Sequence, residues 1–91
     1  MSDNRPVMEV TNRVVTNEDY WHNRMYNSAD KGSELLRYVE LDDHILVPVF
    51  YYKTIQNAKK GDTVKETKVA DKDIPCGYDY LYEVVERDKQ T

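Results

Sequence analysis

The sequence predicts an α+β fold: a small antiparallel sheet of three or four strands with one or two short helices on one face. Three observations point there. Residues 44–55 form the only long, nearly uncharged run in a chain of 91 residues of which 33% are charged. The β-branched and aromatic content of that run suits a pleated strand. Thr16, Asn17, Glu18 and Asp19 have the composition of a helix start: short polar side chains cap free N–H groups, and acids favour the positive end of the helix dipole. Valines and tyrosines dominate two further segments, 7–16 and 78–87.

Taken in order, residues 1–6 read as a polar, flexible terminus. Residues 7–16 carry Val7, Met8, Val10, Val14 and Val15, a strand pattern with a break expected near Thr11 and Asn12. A helix is expected over about 17–27, where Tyr20, Trp21, Arg24, Met25 and Ser28 fall on one stripe. Being short, it needs tertiary packing, with Trp21 and Met25 plugging the sheet. A loop turning at Gly32 follows, then a short helix or turn through about 36 and a strand running to a turn at Asp42 and Asp43. Over so few residues, helix and strand periods do not separate.

The run 45–55 is expected as the central strand, because both of its alternating sets are apolar and both faces then need cover. Pro48 lacks an N–H and implies a bulge or an edge position there. Lys60, Gly61 and Asp62 suggest a hairpin turn with Gly61 at positive φ. The hairpin would bring residues 63–70 back as an edge strand whose lysines discourage strand addition. In residues 78–87 two periods compete: Tyr78, Tyr80, Tyr82 and Val84 share a strand face, whereas Tyr78, Leu81, Tyr82 and Val85 make a helical stripe. The tyrosine and valine content favours the strand. Residues 88–91 read as a flexible polar tail.

Ninety-one residues make one domain with one modest core. The apolar run is too short to cross a membrane as a helix, and no leader pattern is present. The single cysteine, Cys76, has no disulfide partner in the chain and fits a reducing compartment. The expected location is the cytoplasm, or the host cytoplasm for a viral chain.

Catalytic chemistry finds little support. His22 and His44 lack metal-ligand spacing, Cys76 stands alone, and the three glycines form no phosphate loop. Asp71 and Asp73 lack the rest of a calcium loop. No cofactor, no metal and no enzymatic activity are expected.

Two distributions favour binding. Residues 17–43 carry seven acids against three bases, whereas residues 53–72 carry six lysines against three acids. Eight tyrosines accompany one phenylalanine, and tyrosine offers a large rigid surface with a polar tip. The sequence therefore points to a small acidic non-catalytic module that binds a larger protein or complex, of the accessory or inhibitory type carried by bacterial viruses. Tyr51, Tyr78, Tyr80, Tyr82, Glu18, Asp19, Asp42 and Asp43 are its candidate contacts. Lys59, Lys60, Lys65 and Lys68 form a candidate basic patch. A subunit of a virion or another assembly, as a homo-oligomer, is one alternative. A single-stranded nucleic-acid binder using the lysines beside the tyrosines is another, disfavoured by the net charge of −4.

Overall fold

A computed structural model describes residues 4–25 and 33–88. Five strands form one antiparallel sheet: β1 (Val7–Met25), β2 (Ser33–Leu41), β3 (Ile45–Pro48), β4 (Thr63–Ala70) and β5 (Tyr78–Glu86). Their spatial order is β3-β2-β1-β4-β5. Among the described residues the one helical element is a 3-10 turn, Lys53–Ile55. The molecule is therefore a sheet protein, and the expected α+β architecture is overturned.

The expected helix over 17–27 is instead the second half of β1, as far as the described residues reach, and no break occurs at Thr11 and Asn12. The helix-start signal marks irregular strand pairing. Register shifts fall between Val15 and Asn17 and between Asn17 and Tyr20. At these shifts the Asn17 side chain accepts the Asp19 N–H at 2.9 Å and the Thr16 hydroxyl accepts the Asp43 N–H at 3.0 Å. Short polar side chains that can cap a helix can equally satisfy N–H groups freed at a β-bulge. Trp21 is 53% exposed and does not plug the sheet. The expected loop at Gly32 lies outside the described residues, and the short helix expected before residue 36 is β2.

The run 45–55 is not the central strand. It pairs over four residues at the sheet edge and stops at Pro48. The chain then turns, with the N–H groups of Tyr51 and Tyr52 both donating to the Pro48 carbonyl, and passes over one face of the sheet. There Ile55 and Ala58 are fully buried, with Val49 and Tyr52 packed beside them. Val15, Val39, Leu41, Val47, Val64 and Tyr82 complete the core from the sheet side. The greasy run is thus mostly a lid on the sheet. Phe50, on the turn, is 51% exposed.

Residues 60–62 do not join a β3–β4 hairpin, because β2 and β1 lie between those strands. Gly61 does take positive φ, at 97°. Strand β4 is not an edge strand: β1 and β5 flank it, and Val64, Glu66 and Val69 are buried. The turn at Asp42 and Asp43 forms as expected, both residues at positive φ and His44 N–H donating to the Leu41 carbonyl, the geometry of a tight primed hairpin turn. Residues 78–86 form the favoured strand.

Strand β1 organises the sheet. Its first half, residues 7–14, pairs with β4, and its second half, residues 15–25, pairs with β2. Neither partner spans the whole strand. Pairing with β3 ends at Tyr38, so residues 21–25 and 33–37 run on as a ribbon of two strands. The radius of gyration, 15.1 Å, exceeds the roughly 12 Å of a compact chain of this length.

Candidate binding surface

The tyrosines divide by depth. On β5, Tyr82 is buried while Tyr78 and Tyr80 are half-buried. The Tyr80 and Tyr82 rings stack, Tyr52 packs edge-on against Tyr82, and Tyr51, itself exposed, packs edge-on against Tyr52. Lys68 lies 4.1 Å from the centre of the Tyr78 ring, a cation–π contact. The five rings form one cluster, of which Tyr51 is the exposed end.

Below that cluster runs a polar chain that the sequence did not announce. The Tyr82 hydroxyl donates to Glu66 at 2.7 Å, and Glu66 accepts from Arg13 at 3.0 Å. Arg13 also donates to Asp42 at 3.0 Å, and Asp42 accepts the Val14 N–H at 3.0 Å. Burial, with the Glu66 carboxylate beside it, pushes the Tyr82 phenol far above its ordinary range. Burial likewise pushes Tyr52 up to about 12. The Val14 N–H, followed by Arg13, holds the Asp42 carboxyl below its usual value against the effect of burial. The chain ties β5, β4, β1 and the β2–β3 turn together. Its side chains are committed to each other, which suits structure and leaves no free acid–base pair.

Of the candidate acids, Glu18 meets candidate lysines in space. Glu18 accepts the Lys60 N–H at 3.0 Å and lies 3.2 Å from the Lys59 ammonium; these bonds lower its pKa. Asp19 pairs with Arg37, and Lys65 with Glu83. Asp43 is exposed in the turn. Glu18 thus joins the acidic block of the sequence to Lys59 and Lys60 of the lysine-rich block.

A second clasp centres on Asp62, which is 2% exposed. It accepts the N–H groups of Lys59 and Asp88 at 2.9 and 2.7 Å and pairs with Arg87 at 3.2 Å. Burial works to raise its pKa, but these partners outweigh it and the net shift is downward. At the opposite end of β4, Arg5 bridges Asp71 and Asp79 at 2.8 and 3.1 Å.

On the two-stranded ribbon and its base Tyr20, Trp21 and Leu35 are exposed, Leu35 at 62%. Sequence reasoning set Trp21 in the core because its helical stripe was taken at face value. Among the described residues no group of three or more histidines, cysteines or acids could hold a metal ion, and no helix is long and apolar enough to cross a membrane. No family model matches the chain, and neither the curated proteins nor the solved structures contain a detectable relative.

Proposed function

We propose that this chain is a non-catalytic protein-binding module, an accessory or inhibitory protein that works in the cytoplasm by docking on a larger protein. The observation that carries this reading is the ribbon formed by residues 21–25 and 33–37. It extends past both neighbouring strands and bears Trp21 and Leu35 in the open, with Tyr20 at its base. A free two-stranded hairpin is marginal in water, and exposed tryptophan and tyrosine are the usual anchors of binding hot spots. Nucleic acid is the weaker reading, because Lys59, Lys65 and Lys68 are engaged with Glu18, Glu83 and Tyr78.

The test is affinity capture from extract of the source cells with wild-type chain and Trp21→Ala in parallel. A protein retained by the wild type and lost with Trp21→Ala, at unchanged melting temperature, supports the reading. Equal retention by both removes the ribbon from the interface. Turnover of a small molecule by the purified chain would remove the non-catalytic assignment.

A further inference from the structure

Among the described residues, one side of the first half of β1 has no partner. Val14 donates its N–H to the Asp42 side chain and its carbonyl accepts the Asp42 N–H, so both groups face the β2 side. Val15 bonds to Asp62 and Gly61 on the β4 side. Backbone direction alternates along a strand, so Asn12 and Val10 also present N–H and carbonyl to the β2 side. Strand β2 has ended there, its last pair being Val15 with Leu41, and no described residue takes its place. Residues 7–13 thus expose a strand edge of about 23 Å.

Outside the ribbon, the other strand edges are guarded. Strand β3 has four residues and ends in Pro48. Strand β5 carries Asp79, Glu83 and Glu86, and the Thr54 hydroxyl donates to its Tyr82 carbonyl. The second half of β1 is interrupted by two register shifts on its way to the ribbon. Short length, proline, charge and bulges are the devices that keep sheets from joining. In residues 7–13 the exposed side chains include Val7, Met8 and Val10, and no lysine or internal proline is present; the one register shift, between Val7 and Glu9, lies at the outer end and leaves residues 9–13 regular.

We propose that this edge pairs with the same edge of a second copy, antiparallel, about a twofold axis at Val10. The segment matches itself. Val10 then faces the second copy's Val10 and Glu9 faces Thr11, with the register shift between Val7 and Glu9 at the outer end of the pairing. No carboxylate stands directly opposite another; the two Glu9 side chains lie diagonal to each other across the axis, while Arg13 stays bonded to Glu66 and Asp42 within its own copy. The unpaired groups of Val10 and Asn12 gain partners. The exposed Val10 side chain meets Val10 of the second copy, and the two sheets become one of ten strands. This pairing is independent of the ribbon and of what the ribbon binds.

Sedimentation equilibrium over a dilution series, combined with amide exchange on the same samples, tests it. A dimer at high micromolar concentration is expected, with the Val10 and Asn12 amides slow in the dimer and fast on dilution. Val10→Lys puts two lysines face to face on the axis and should raise the dimer dissociation constant at least about tenfold. The side chain it replaces is 54% exposed, so the monomer should keep its circular dichroism. Met8→Lys provides a second variant with the same expected direction. A monomer at every concentration overturns the proposal, whether those amides are fast or are kept slow by another part of the same chain. So does a dimer that survives both lysines but falls apart with Trp21→Ala, which would place the contact on the ribbon.

Discussion

At the scale of single residues, stability rests on a few side chains with several jobs each. Tyr82 fills the core with its ring and donates its hydroxyl to Glu66. Tyr82→Phe removes the donor and keeps the ring, so a loss of about 1–2 kcal/mol is expected in urea unfolding. Phe50 behaves oppositely. The sequence places it in the core, yet the turn after Pro48 leaves it exposed beside Tyr38, and Phe50→Ala should cost under about 1 kcal/mol. Gly61 combines positive φ with a position where an added Cβ would lie 2.2 Å from the Asp88 carboxylate. Gly61→Ala should therefore destabilise by more than about 1 kcal/mol and loosen the Asp62 clasp. The tyrosine content was legible in the sequence. The depth of each ring was not, because it depends on how β5 and the chain after β3 meet.

At the scale of elements, β1 explains most of the differences from expectation. Its first half was readable from valine spacing. Its second half looked like a helix because Thr16, Asn17 and the two acids carry capping chemistry that bulges also use. The run 45–55 read as a central strand because both alternating sets are apolar, a pattern also satisfied by a segment that leaves the sheet and packs across it. Among the described residues the resulting ribbon has no third strand, so amides in residues 21–25 should exchange faster than those of residues 13–15, which are paired on both sides or clasped by Asp42. Uniform protection along β1 would show that the ribbon is covered by something else. Replacing Trp21 by alanine should leave urea stability within about 0.5 kcal/mol, since the side chain is already mostly in solvent.

At the scale of the whole molecule, the two kinds of ionisable group set opposite limits on stability. Asp42, Asp62 and Glu18 ionise more readily in the folded state. Their contribution is complete above the ordinary carboxylate range of about 4 and is lost as pH falls through the lower folded values. Tyr52 and Tyr82 hold their protons more tightly when folded. Their contribution is complete below the ordinary phenol value of 10.0 and is lost as pH rises toward about 12 at Tyr52. Unfolding free energy measured across pH should be level between about 5 and 9 and fall on both sides. A Tyr82→Phe chain should lose less on the alkaline side. An alkaline limb unchanged by that substitution would remove Tyr82 from the linkage.

The sequence by itself determined what a few neighbouring residues can do. Asp42 and Asp43 make a turn, Gly61 takes positive φ, and the tyrosine and valine content of residues 78–87 favours a strand over the competing helical stripe. These outcomes follow from sterics and hydrogen bonds within a short stretch of chain. Only the tertiary structure decided the strand order, the stagger of β4 and β2 along β1, the passage of residues 49–62 over the sheet, and the meeting of Glu18 with Lys59 and Lys60. Each of those depends on which distant segment supplies the neighbour. An alternating strand offers two faces and two edges, and nothing local says which of them will be covered.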